Sequence, residues 1–307
     1  MYALVAAPEV AGGHRLADDV PEPVPGPGQA VVEVRYASVN FGEVKYLGFQ
    51  PPGSVLGYDA AGYVVRAADD GTGPAVGTPV VAFGPGAWAS RAAFDTDALA
   101  VLPDAFDHAT AAALPLVGIT ALRTIRDAGV SAGQRVLVTG ASGGVGRVAV
   151  QLAHRAGAYV IAAVGTPERG RGLDALGADE IVTSLDAVDG FVDAVIELVG
   201  GAHLVAAWSL LAAGGVLESV GWASDEPATF PPNSIFAHGP AKTLRSFGDA
   251  SRPGPDLAEL VDLAERGELD VPIGWQGSWR RVDDAIDALL GRRVAGKAVM
   301  RIETDCG

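Results

Sequence analysis

The residues of this chain best suited to chemistry form one short run, Gly140-Ala141-Ser142-Gly143-Gly144-Val145-Gly146. An apolar stretch, Arg135-Val136-Leu137-Val138, leads into it, and an apolar-periodic stretch over 145–156 follows, so the order strand, glycine turn, helix is expected. At such a junction free backbone N–H groups and the positive end of the helix dipole converge on one point, where a pyrophosphate can sit. Gly143 and Gly144 let the backbone approach a ligand, and Gly146 lets the helix pack on the sheet. The spacing predicts a dinucleotide cradle at Gly140, Ser142, Gly143, Gly144, Val145 and Gly146; an ordinary tight turn is the alternative.

The end of the next strand decides which dinucleotide fits. About 20 residues past the last glycine, an acidic residue would hold the ribose hydroxyls of NAD. Here the chain reads Gly165-Thr166-Pro167-Glu168-Arg169-Gly170-Arg171. Gly165 and Thr166 take the place of the acid, and Arg169 and Arg171 follow within reach of a 2′-phosphate. NADPH is therefore expected rather than NADH. Glu168 acts against that expectation, and a solvated helix start is the alternative use of these arginines.

These residues need a parallel sheet to position them. The first ~110 residues look all-β, with strands expected over 30–36, 60–67 and 79–83 between turn-rich tracts. From Leu114 the texture changes to apolar strands alternating with helices, the rhythm of βαβ units. Helices are expected over 118–128, 145–156, 169–176 and 204–212, and strands over 135–138, 159–164, 180–183, 194–198, 215–220 and 243–247. The remainder, with helices over 256–266 and 282–290 and a strand over 298–302, returns to the first domain. The expected fold class is α/β, a Rossmann doubly wound parallel sheet over 114–248 beside a mainly β substrate domain over 1–113 and 249–307.

Composition narrows the partners. With 307 residues, 49% hydrophobic and 19% charged, the chain can bury a large core. A formal net charge of −15 would repel phosphate backbones and anionic lipid, so no nucleic-acid or membrane partner is expected. The single cysteine, Cys306, allows no intrachain disulfide and no cysteine zinc cluster, and a cytoplasmic location is expected. No targeting or membrane-spanning segment stands out in the sequence.

Further blocks resemble the medium-chain dehydrogenase/reductase superfamily, in its zinc-independent quinone oxidoreductase branch. They are Ala37-Ser38-Val39-Asn40-Phe41, Gly57-Tyr58-Asp59-Ala60-Ala61-Gly62, Val76-Gly77-Thr78-Pro79-Val80, and Ala111-Ala112-Ala113-Leu114-Pro115 leading to Gly118-Ile119-Thr120-Ala121. The glycine turn with Gln151-Leu152, then Leu176-Gly177-Ala178-Asp179 and Gly296-Lys297-Ala298-Val299, completes the set, which covers nearly the whole chain. The resemblance implies that the substrate domain is GroES-like and that the chain forms a homodimer through the sheet edge at 243–247.

Zinc-dependent relatives place a cysteine just after the position of Asn40 and a His-Glu pair after that of Gly57. This chain has Phe41 and Tyr58-Asp59 there, and His14, His108, His154, His203 and His238 are scattered, so no metal site is expected. By the same resemblance Asn40 and Thr120 lie near the nicotinamide, and Leu198, Val199, Gly200, Gly221, Trp222 and Phe247 follow the ribose and nicotinamide. Ser184 stands where relatives often stack a tyrosine on adenine, Glu43 where many have Asp, and Lys45 where quinone reductases often have an aromatic residue.

Without a metal to polarise a carbonyl, the acceptors easiest to reduce are quinones and α,β-unsaturated carbonyls. The developing oxygen charge needs hydrogen-bond donors, for which Lys45, Tyr46 and the cofactor's own ribose hydroxyl are candidates, and Asn40, Lys45 and Tyr46 are the catalytic residues expected. A substrate cleft is expected beneath Tyr46, Phe49, Tyr58 and Trp88. Three functions fit: a general NADPH quinone reductase, a dedicated ene-reductase on a biosynthetic enone or enoyl thioester, and a non-catalytic NADPH-binding redox sensor.

Overall fold

The computed structural model describes residues 1–236 and 239–303; His238 and Cys306 lie outside the described residues. In chain order the elements begin with strands β1 (Ala3–Ala6), β2 (His14–Ala17) and β3 (Gln29–Val39), helix α1 (Phe41–Lys45), and strands β4 (Asp59–Arg66), β5 (Pro79–Phe83), β6 (Arg91–Asp95) and β7 (Leu99–Val101). Helices α2 (His108–Ala113) and α3 (Pro115–Asp127) follow. Next come β8 (Arg135–Val138), α4 (Gly144–Arg155), β9 (Tyr159–Ala163), β10 (Glu180–Val182), β11 (Val192–Glu197), α5 (Gly201–Leu210), β12 (Leu211–Ser219) and β13 (Thr243–Ser246). The chain closes with α6 (Gly254–Glu265), β14 (Ile273–Ser278), α7 (Val282–Leu290) and β15 (Lys297–Arg301).

Two compact units result, one of residues 1–119 with 250–307 and one of residues 120–249. The division falls inside α3, a few residues beyond the boundary expected at 113/114. Among the described residues, no helix is long and apolar enough to cross a membrane.

The second unit is an all-parallel six-stranded sheet in the order β10-β9-β8-β11-β12-β13. Parallel strands are buried on both faces, which explains why β8 and β11 read as apolar runs without alternation. Leu137, Ile161, Val195 and Leu211 form the centre of its core. The chain runs outward from β8 to β10, then returns to start β11 on the other side of β8. The carboxyl ends of β8 and β11 therefore flank a topological switch point, the usual ligand crevice of such sheets.

The first unit is mainly β. Its seven-stranded sheet runs β14-β15-β3-β4-β5-β7, with β6 also paired to β3, and a separate two-stranded sheet joins β1 to β2. Trp88, Trp279 and Phe94 fill its core. The architecture is a Rossmann-like parallel sheet plus a separate, mainly β domain, as expected.

Two of the expected helices are changed in the structure. No helix forms over 169–176; a 3-10 turn at Pro167–Gly170 is followed by further turns. Gly172 adopts φ +76°, a left-handed conformation that ends any right-handed helix there. The helix expected over 204–212 instead occupies Gly201–Leu210, because Leu211 already pairs with Val192 as the first residue of β12.

Candidate active site

The glycine turn leaves β8 at Gly140, whose φ of +58° turns the chain away from the sheet. The Gly143 N–H closes back on the Gly140 carbonyl at 3.0 Å, and Gly143 caps α4. The first hydrogen bond inside the helix runs from the Arg147 N–H to the Gly143 carbonyl, 3.0 Å. The N–H groups of Gly144, Val145 and Gly146 precede it, so the helix itself gives them no acceptor. A Cβ at Gly146 would lie 2.5 Å from the Gly140 carbonyl oxygen and 2.6 Å from the Ala141 Cα, so only glycine lets α4 start this close to β8. Ser142 through Val145 are half-buried, which leaves the turn accessible. This cradle fits a pyrophosphate.

The end of β11 supplies the neighbouring wall. Glu197 is fully buried at the end of that strand. Its Oε1 accepts from the Thr139 hydroxyl at 3.0 Å and the Val199 N–H at 3.0 Å, and its Oε2 accepts from the Gly200 N–H at 2.9 Å. The Thr139 Oγ1 in turn accepts from the Leu198 N–H at 2.9 Å. One carboxylate and one hydroxyl thus hold Leu198, Val199 and Gly200 beside Gly140. Burial pushes the Glu197 carboxyl up, while the Gly200 and Val199 N–H groups and the Thr139 hydroxyl pull it back. The Trp222 ring lies over Gly200, where a Cβ would come within 2.6 Å of the indole. The carbonyl of Leu198 leaves equally little room at Gly221, 2.9 Å from a Cβ there.

Gly165 and Thr166 are exposed just past β9, and Arg169 is half-buried. The carboxyl of Glu168 is held below the usual carboxylate range by its own backbone N–H and by the Thr166 hydroxyl, with Arg171 adding to this. Ser184 is exposed and accepts from the Asp186 N–H at 3.3 Å. Phe247 is half-buried just past β13, its N–H bonded to the Ser219 carbonyl at 3.1 Å. Thr120 is buried within α3.

In the first unit Asn40 is 4% exposed and belongs to a buried polar cluster. Its Nδ2 donates to Asp59 Oδ2 at 2.8 Å, and its Oδ1 accepts from the Lys297 ammonium. Ammonium offers only donors and carboxylate only acceptors, so this pair fixes which way the amide points. Asp59 also accepts from the Ser38 hydroxyl at 2.6 Å, from the Leu116 N–H at 3.0 Å and from Lys297 at 3.3 Å. The Asn40 N–H donates to Glu43 Oε2 at 2.7 Å, tying the start of α1 to the same cluster. The other carboxyl oxygen of Glu43, Oε1, is buried and has no hydrogen-bond partner among the described residues. Burial, and secondarily the Asp59 carboxylate, pushes the Glu43 carboxyl up to about 8, against the opposing pull of Lys297 and Asn40. Glu43 therefore keeps its proton at neutral pH.

Helix α1 ends at the half-buried Lys45, and Tyr46 follows, half-exposed. The Tyr46 and Phe49 rings meet with centroids 6.1 Å apart, and Phe49 is 84% exposed. Tyr58 stacks on Phe83 at 5.9 Å and keeps one exposed side. Trp88 is a correction to the expected substrate surface. It has no exposed area and its indole N–H donates to the Ser38 carbonyl at 2.9 Å, so it packs the core.

Sequence reasoning singled out neither Glu197 nor Lys297 for a site role. The one signal for Glu197 was a carboxylate ending an apolar strand; Lys297 stood only inside a family block.

Residues 144–266 match the family described as zinc-binding dehydrogenase, and residues 26–104 match the alcohol dehydrogenase GroES-like domain. Among the described residues, no three His, Cys, Asp or Glu side chains come together as a set that could hold a metal ion. Zinc therefore finds no ligand set among them. The structure is similar to a quinone oxidoreductase from Coxiella burnetii, with TM-score 0.83, 26% identity and 99% of each chain covered. It is also similar to mycobacterial Rv1454c complexed with NADPH, with TM-score 0.87, 25% identity and coverage of 98% of this chain and 99% of that one. Erythronolide synthase EryA2 of Saccharopolyspora erythraea is 37% identical over 281 residues, which is 85% of this chain but 8% of the synthase. The chain thus spans a small part of that relative.

The raised Glu43 carboxyl makes stability pH-dependent. The folded state binds this proton more tightly than the unfolded state, so its contribution is complete below the ordinary carboxylate range and is lost as pH rises through about 8. The melting temperature should fall from pH ~5 to pH ~9, and Glu43→Gln, which keeps the neutral shape, should flatten that slope. Glu197 and Glu218 are also raised by burial and leave a residual slope of the same sign. Identical slopes in the wild type and the variant would refute the assignment.

Proposed function

Since the chain belongs to the medium-chain dehydrogenase/reductase superfamily, in its quinone oxidoreductase branch, we propose that it is an NADPH-dependent, zinc-independent reductase of quinones or α,β-unsaturated carbonyls. The observation that carries this reading is the cradle at Gly140 to Gly146, followed at the next strand end by Gly165-Thr166 in place of an acid, then Arg169 and Arg171. The complex of a mycobacterial relative with NADPH supports the same cofactor.

NADPH, when bound, supplies a hydride from its nicotinamide. The N–H groups of Gly144, Val145 and Gly146 would hold its pyrophosphate, and the dipole of α4 would add its positive end. Thr166, Arg169 and Arg171 would hold its 2′-phosphate. Glu168 is engaged by the Thr166 hydroxyl and by Arg171, which reduces its repulsion of that group. Glu197 and Thr139 keep Leu198, Val199 and Gly200 fixed, and Trp222 covers Gly200, so the ribose and nicotinamide meet a rigid wall.

In the first unit the Tyr46 hydroxyl and the Lys45 ammonium are donors for the oxygen on which charge develops. The exposed rings of Tyr46, Phe49 and Tyr58 offer flat apolar faces to a flat acceptor. Asn40 serves as a fixed post, its amide held by Asp59 and Lys297.

A dedicated ene-reductase acting on a biosynthetic enone or enoyl thioester is the second reading. The 37% identity to a stretch of a biosynthetic synthase favours it. NADPH consumption against a panel of quinones, enones and enoyl thioesters separates the two. Turnover of several quinones supports the general reductase, and turnover confined to enones or thioesters supports the dedicated enzyme. Tight NADPH binding without turnover of any acceptor refutes both and favours the redox sensor.

The exposed edge strand β13, with Leu244 open to solvent, is the surface we assign to a homodimer. Light scattering should give twice the chain mass of 31.2 kDa at micromolar concentration, and a monomer there would remove the assignment.

A further inference from the structure

Arg147 stands in the first turn of α4 and is 7% exposed, an unusual place for a guanidinium. Its Nε donates to the Ser142 carbonyl at 3.2 Å, inside the glycine turn. Its Nη2 donates to the Arg171 carbonyl at 3.4 Å, in the tract that follows β9. The Gln151 side chain donates to the Arg147 carbonyl at 3.0 Å, so the residue is fixed at its backbone as well. One planar fork thus ties the phosphate turn to the residues that meet the 2′-phosphate.

The approach to that tract is tied by backbone, the Ala141 N–H of the turn donating to the Ala163 carbonyl at 3.1 Å and the Val164 N–H to the Val182 carbonyl at 2.9 Å. The tract forms no strand and no α-helix, and the backbone bonds of Arg169, Arg171 and Leu173 close on Thr166, Glu168 and Gly170 within the tract itself. Leu173 in the core and Gly170 beneath Ile181 anchor it by packing. Packing fixes the depth of the tract, the Ala141 bond holds its near end, and the Arg147 guanidinium adds a directional tie from the turn to its far end at Arg171.

The covalent length of a dinucleotide sets the distance between its pyrophosphate and its adenosine ribose. NADH and NADPH use the turn alike, and only the tract after β9 distinguishes them. We propose that Arg147 is a positioning residue for cofactor choice, holding residues 166–171 at the distance from the glycine turn that the 2′-phosphate of NADPH requires. It acts through the Arg171 backbone and leaves the phosphate to Thr166, Arg169 and Arg171. The inference rests on the NADPH reading above.

Dissociation constants for NADPH, NADH and 2′,5′-ADP, measured by calorimetry on the wild type, Arg147→Gln and Arg147→Lys, test it. In Arg147→Gln the NADPH and 2′,5′-ADP constants should rise about tenfold, the weight of one hydrogen bond from a charged group, while the NADH constant moves by less than about twofold. Arg147→Lys keeps a charged donor that reaches one carbonyl at a time, so it should recover part of the preference. If Gln at this position prevents folding, the Lys variant carries the same comparison on a smaller scale. Equal losses for NADPH and NADH would make Arg147 a general support of the turn and overturn the proposal, as would an unchanged preference. A wild type that binds NADH as tightly as NADPH overturns the cofactor reading and this inference together, whereas a preference retained in Arg147→Gln overturns this inference alone.

Discussion

The close approach of Gly146 to the backbone of Gly140 and Ala141 sets the geometry on which the second unit depends. With any side chain at that position α4 would have to stand off from β8, and its first N–H groups would no longer converge at the strand end. Because β8 and β11 are paired neighbours at the switch point of the sheet, Gly140 lies beside Leu198 and Val199. The Glu197 carboxylate then performs for the β11 loop what glycine performs for the β8 turn. It fixes backbone that has no strand partner of its own. The buried apolar strands supply rigidity, and these few polar contacts fix the backbone at the strand ends.

The first unit is organised by charge. Asp59 and Lys297 are both buried, and leaving either alone would cost ~3–5 kcal/mol, so each requires the other. Ser38, Asn40 and the Leu116 N–H complete the hydrogen bonding around Asp59. Glu43 joins the cluster through the Asn40 N–H, and burial first, then the neighbouring Asp59 carboxylate, pushes its carboxyl up against the pull of Lys297. Through Asn40 and Glu43 this cluster fixes where α1 begins, and thereby where Lys45, Tyr46 and Phe49 emerge.

What the sequence disclosed was mostly local. The glycine turn was legible because strand, turn and helix are contiguous, and the tract after β9 because its distance from the last glycine is set by one helix and one strand. The polar cluster was not legible as a unit. Ser38 and Asn40, Asp59 and Lys297 lie far apart in sequence, and only the pairing of β15 with β3 and of β3 with β4 gathers them. Trp88 was misread because an aromatic residue carries the same sequence signal whether it lines a surface or fills a core, and its bond to the Ser38 carbonyl is a tertiary fact. The helix expected over 169–176 failed because periodicity outweighed Gly170 and Gly172, one pressed beneath Ile181 and the other left-handed.

On the proposed reading the turn between β8 and α4 and the tract after β9 together hold the dinucleotide. Amide hydrogen exchange with and without saturating NADPH tests it most directly, since it reports on the N–H groups themselves. The account predicts slower exchange over residues 141–147 and 165–171, with residues 29–39 and 297–301 unchanged. Protection absent from both segments, while NADPH is bound, would contradict it.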